Sequence, residues 1–167
     1  PLEREKEFEQ FFSWMTSVDG KSKSPRCARQ HVRQVQSILS NASQGWFNLD
    51  ALLDRKALRD LWLTNFEKRR QPGTVKSYLN SLLYFYRYCL CDSPVFMTGD
   101  IGCYTALVTL VTNWLAVYQK KSNLRKWETK MTQLGQLITA NDMKLLDASE
   151  PAQRCRRICS ELKASTS

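Results

Sequence analysis

The chain has 167 residues, 43% of them hydrophobic and 25% charged, with a formal net charge of +9. That length suits one helical domain or a domain with an appendage, and the balance of apolar and charged residues excludes wholesale disorder. No apolar run reaches the ~18 to 20 residues that span a bilayer, since the best stretch, 104–114, is interrupted by Thr105, Thr109, Thr112 and Asn113, so no membrane contact is expected.

In chain order, the apolar spacing predicts a first helix over 5–15, with Phe8, Phe11, Phe12 and Met15 on one side. Residues 19–23 read as a loop. Ser24 is placed to cap a second helix whose first position is Pro25, and 41–45 ends it. Trp46, Phe47 and Leu49 lead into a short helical turn over 49–53. A helix over 55–69 turns Leu58, Leu61, Trp62 and Phe66 inward, and Gln71-Pro72-Gly73 breaks the chain before a helix over 74–90. After Asp92-Ser93-Pro94 a helix spans 103–120, and 122–138 continues it or follows a kink. Thr139, with Asp142 at the third helical position, caps a short helix in a carboxylate variant of the capping box. Ser149-Glu150-Pro151 opens a last helix to about 164. No alternating strand and no long repeat appears. The expected fold class is all-α, with six to eight helices. Residues 1–92 form a compact bundle, and 93–167 are additional helices packed on it or extending it, their end a linker toward a missing domain. The charged start, Pro1-Leu2-Glu3-Arg4-Glu5, is unlike a signal peptide, and with no opening Met the chain is expected to be a fragment.

Charge is unevenly placed. Residues 1–20 carry −3, residues 21–87 carry thirteen Lys and Arg against four Asp and Glu, and residues 88–167 carry +3. The basic excess therefore coincides with two amphipathic helices and fits a polyanion partner. On the helix from Pro25, Ala28, Val32, Val35 and Leu39 share one arc, with Cys27, His31 and Ile38 beside it; Arg26, Arg29, Gln30, Arg33 and Ser37 share the opposite arc. On the helix from Thr74, Val75, Tyr78, Leu79, Leu82, Phe85, Tyr86 and Cys89 form the buried arc. Lys76, Ser77, Asn80, Ser81, Tyr84 and Arg87 form the outer one, and Tyr88 also points outward. Arg and Lys neutralise phosphates and release counterions. Arg, Asn and Gln pair with base edges, and Ser, Thr and helix N-termini hold phosphate oxygens. Any single face of this kind is ordinarily just solvated surface. Two in one small basic domain, with few acids between, favour double-stranded DNA.

Residues 8–90 resemble the N-terminal core-binding (SAM-like) domain of phage integrases and other tyrosine recombinases. The resemblance rests on the Ser24-Pro25 start with Val32 and Leu39, then Leu52-Leu53, Leu61 and Phe66. It continues through Gly73-Thr74-Val75-Lys76-Ser77-Tyr78-Leu79, Leu82 and Phe85-Tyr86-Arg87-Tyr88. The added helices and Leu124-Arg125-Lys126 look like the Crypton-type recombinases of eukaryotic transposons and genes derived from them. The resemblance implies a helical bundle that clamps one side of duplex DNA with two crossed helices in the major groove. It points to Arg26, Arg29, Gln30 and Arg33, then Thr74, Lys76, Ser77, Asn80 and Arg87, and to a nuclear setting. It covers about half the chain. The family's catalysis needs two arginines, a His-x-x-Arg element and a nucleophilic tyrosine in a separate domain. Here the one histidine, His31, is followed at the third place by Gln34, so no strand cleavage is expected of this chain.

Other chemistry is less favoured. Cys89-x-Cys91, Cys103 and Cys155-x-x-x-Cys159 are not spaced as the usual Cys-x-x-Cys zinc pairs, and a reduced, intracellular state of all six cysteines is expected, with no metal and no cofactor. Gly99-Asp100-Ile101-Gly102 lacks the phosphate-loop pattern and its lysine, and no small-molecule substrate is expected. Lys120, Lys121, Arg125, Lys126 and Lys130 form a second basic patch that either extends the DNA surface or is solvated. Arg154, Arg156 and Arg157 lie near the end of the chain. The alternative function is a helical protein–protein or self-association module, with Trp114, Tyr118 and Trp127 as an aromatic contact patch.

Overall fold

The computed structural model describes residues 2–43, 49–91, 101–137 and 139–165. Seven α-helices account for most of them: α1 (Leu2–Thr16), α2 (Pro25–Ala42), α3 (Thr64–Arg69), α4 (Pro72–Cys91), α5 (Ile101–Leu137), α6 (Ala140–Ala148) and α7 (Glu150–Ser165). A short 3₁₀ turn covers Leu49–Leu52, and a π-helical stretch, Ala57–Leu63, runs directly into α3. There is no strand among the described residues, so the all-α expectation is met. Trp46, Phe47, Asp92-Ser93-Pro94 and Gly99-Asp100 lie outside the described residues.

The chain divides into two compact units, Pro1–Ser122 and Asn123–Ser167. The division falls inside α5 rather than near residue 92, because Tyr104, Leu107, Val111 and Tyr118 are buried in the core of the first unit. By length and composition alone, α5 could cross a membrane, which differs from the expectation of no such segment. The apolar run, 104–114, is only part of that helix. The helix is longer than that run because its threonines do not break it: Thr105, Thr109 and Thr112 each turn their hydroxyl back to the carbonyl four residues earlier.

The first unit is built around α4. Its Phe85 meets Phe11 of α1 edge-on, with ring centroids 5.2 Å apart, and Phe8 at 5.9 Å. Tyr88 lies 5.4 Å from Phe11 and 5.8 Å from Trp14. Tyr88 is therefore buried, not outward as its place on the helical wheel suggested, because α1 covers that side of α4. The hydroxyl of Tyr86, also fully buried, donates to the Leu52 carbonyl and ties the 3₁₀ turn to α4. On another side, Tyr78 packs tilted against Phe66 with ring centroids 4.6 Å apart, and Phe66 in turn stacks on Trp62 at 5.7 Å. The wide turn that carries Trp62 closes where the Thr64 amide and hydroxyl both donate to the Arg59 carbonyl five residues back.

Between α1 and α2 the chain reverses through 17–24. Lys21 and Ser22 adopt left-handed φ of 67° and 47°. Gly20 is required for a different reason: a Cβ there would stand 2.2 Å from the Trp14 carbonyl oxygen. The turn delivers Ser24, whose hydroxyl accepts from the Cys27 amide at 3.3 Å, with Pro25 at the first helical position, as the sequence predicts. In the second unit the Thr139–Asp142 capping box is present with both reciprocal bonds.

Candidate nucleic-acid interface

The site begins with the way α2 meets α4. Gln34 is buried on α2 and inserts between two serines of α4. Its Nε2 donates to Ser77 Oγ at 3.1 Å, and its Oε1 accepts from Ser81 Oγ. Ser81 Oγ lies 2.7 Å from His31 Nδ1. The Ser81 hydroxyl also lies 3.1 Å from the Ser77 carbonyl, and when its one proton serves Gln34 or that carbonyl the imidazole proton sits on Nδ1 and His31 donates. A continuous donor chain thus runs from His31 through Ser81 and Gln34 to Ser77. Burial, with the Lys23 ammonium nearby, holds His31 below the ordinary imidazole pKa. Tyr84 completes this junction, 5.1 Å from the His31 ring and beneath the Lys23 ammonium at 5.0 Å.

Ser77 and Ser81 were expected on the outer, solvated face of α4. Ser81 is instead fully buried and Ser77 half-buried, because α2 lies over that face. Small polar side chains one turn apart allow the close crossing, and Gln34 satisfies them there.

With Gln34 turned inward, the cationic arc of α2 is left facing out. Arg26, Arg29, Gln30 and Arg33 line a single cleft of about 760 Å³, closed by Gln34 and by Tyr78 of α4. No acidic side chain lines it, and the first turn of α2 carries none. The positive end of the helix dipole is therefore not offset there by a carboxylate. Arg29 and Arg33 also border a second hollow of about 570 Å³ whose floor is Phe8, Phe12 and Val32, and the Arg29 guanidinium lies 6.0 Å from the Phe12 ring centre.

The α4 candidates are more dispersed. Thr74, Lys76 and Asn80 are half-buried and Arg87 is exposed, and none of the four lines the cleft. Gln34 and Tyr78 do line it, though neither was singled out from the sequence. A polar residue beside the apolar arc of α2 was the available signal for Gln34. Tyr78 read simply as core.

The second basic patch divides between the units. Lys120 and Lys121 belong to the first, Arg125, Lys126 and Lys130 to the second. Lys121 is engaged in an ion pair with Glu67, its ammonium 4.9 Å from the Tyr118 ring. Hydrogen bonds from Lys121 and Tyr118 hold the Glu67 carboxyl below its ordinary value. The six cysteines are free, and no group of three or more His, Cys, Asp and Glu comes together among the described residues. No family model, no curated protein and no solved structure matches the chain.

Proposed function

We propose that the first unit binds duplex DNA through the α2 cleft, in the manner of a tyrosine-recombinase core-binding domain and without strand cleavage. The observation that carries this reading is the convergence of Arg26, Arg29, Gln30 and Arg33 on one acid-free cleft. Arg26 to Arg33 spans seven residue steps, about 10.5 Å of helix axis, comparable to the axial rise of about three base pairs of duplex. Phosphate contacts by the three arginines set orientation, and Gln30 between them is placed to read a base edge. No chemical step is assigned to this chain. Its one histidine is occupied with Ser81, and the residue three places on, Gln34, is buried in the helix crossing.

The test is a gel-shift titration of the full chain on random-sequence duplex at two salt concentrations. A shift at low salt that weakens steeply with added salt is the expected result; free duplex at low salt refutes the reading. Selection from a random oligonucleotide pool then reports whether Gln30 confers sequence preference.

A further inference from the structure

We propose that residues 123–137 of α5 form a parallel, in-register helical seam with a second copy of this chain. Leu124, Trp127, Met131 and Leu134 follow a strict three-and-four spacing, two consecutive heptads with apolar residues at both seam positions. All four are exposed, between 49% and 63%, in the single chain. The outward positions are polar without exception: Arg125, Lys126, Thr129, Thr132, Gln133 and Gln136. A solvated helix has no reason to sort its residues so completely, whereas a paired one does. Of the three aromatic residues singled out from the sequence as a contact patch, Trp127 alone is exposed; Tyr118 is buried and Trp114 packs against the core.

Charge selects both the partner and its direction. The positions flanking the seam are Asn123, Glu128, Lys130, Gly135 and Leu137. In a parallel, in-register pair, Lys130 faces Gly135 of the second copy and Glu128 faces Asn123 of the second copy, so no like charges meet. An antiparallel pair centred between Trp127 and Met131 would set Glu128 near its own counterpart and Lys130 near its own. A second copy also satisfies the requirement that a two-fold interface be complementary to itself.

The exposed area is of the order a paired helix needs. Covering an aliphatic side chain hides roughly 100 Å² and a tryptophan about 200 Å². At their observed exposures, the seam and Leu137 offer about 350 Å² of apolar surface per chain. A standard interface buries roughly 800 Å² per partner, somewhat over half of it apolar.

The inference does not rest on DNA binding, and its test contains no DNA. Sedimentation equilibrium of the full chain across the micromolar range should give a species of twice the 19.4 kDa chain mass. Leu134→Glu should weaken association by roughly a hundredfold or more, since pairing would bury an uncompensated carboxylate. Gln133→Glu adds the same charge one position away, on the outward face, and should leave association unchanged. Both sites are exposed in the single chain, so unaltered helical circular dichroism is expected of each variant. A monomer throughout the range overturns the proposal, as does a dimer indifferent to Leu134→Glu or equally weakened by Gln133→Glu.

Discussion

Replacing Arg26 and Arg33 with alanine removes two of the three guanidinium groups that line the α2 cleft. Both side chains are exposed, and neither forms an ion pair among the described residues, so the fold should tolerate the change. Arg29 is left in place because it also lies against Phe12, and its loss would mix packing with charge. Each phosphate contact contributes about 0.9 to the slope of log affinity against log salt. Three contacts predict a fall of about 40-fold between roughly 50 and 200 mM salt, and one contact about 3.5-fold. Any further phosphate contacts elsewhere multiply both figures equally. The wild-type and variant falls should therefore differ by about 12-fold, whatever else touches the DNA. Fluorescence anisotropy on a labelled duplex measures both slopes, with Arg59→Ala as the control, since Arg59 is exposed, paired to Asp60 and not part of the cleft lining. Equal slopes for the wild type and the double variant would refute the assignment of the cleft to phosphate.

Gly20→Ala should cost about 3 kcal/mol or more, because the added Cβ meets Trp14 and Met15 backbone atoms that have no side-chain freedom to move away; the urea midpoint reports it. Ser81→Ala should cost about 1–3 kcal/mol by leaving Gln34 Oε1 and His31 Nδ1–H without their shared partner, and it should loosen DNA binding in proportion to how much α2 shifts. His31 takes up its proton at lower pH in the folded chain than in the unfolded chain, whose imidazole titrates near about 6.5. Its contribution is thus fully present above that pH and is lost as pH falls toward the folded value. The difference in stability between the wild type and His31→Asn, followed by denaturant titration from neutral to acid pH, should narrow over that window.

Most element boundaries were legible because they are set by local chemistry. Ser24-Pro25 and the Thr139–Asp142 box each satisfy or remove a terminal amide, and a few residues of sequence suffice to show it. The apolar arcs of α2 followed from spacing alone, and so did the outward direction of Arg26, Arg29, Gln30 and Arg33. What escaped the sequence depends on partners distant along the chain. Ser77 and Ser81 are as polar as any solvated residue; only the arrival of Gln34, more than forty residues away, turns them into an interface. The helical wheel turns Tyr88 outward, yet α1 supplies Phe11 and Trp14 to cover its ring. The sequence leaves the continuity of α5 through 120–123 open, because no proline or glycine marks either a stop or a kink there.

Cations are spread unequally over the two helices, and burial explains why. A helix covered on several sides cannot carry many cations, since each would need a partner or pay for desolvation. α4 is such a helix: α1 covers Phe85 and Tyr88, α2 covers Ser77 and Ser81, and Phe66 covers Tyr78. Its polar positions under α2 are accordingly serines rather than lysines. α2 is covered mainly along one arc, which frees the opposite arc for Arg26, Arg29 and Arg33. Concentrating the charge on one helix raises the local potential in the cleft beyond what the same cations spread over two faces would produce. It also makes the Gln34 junction a positioning element, because that crossing fixes the rotation of α2 about its axis and hence the direction in which the arginines point.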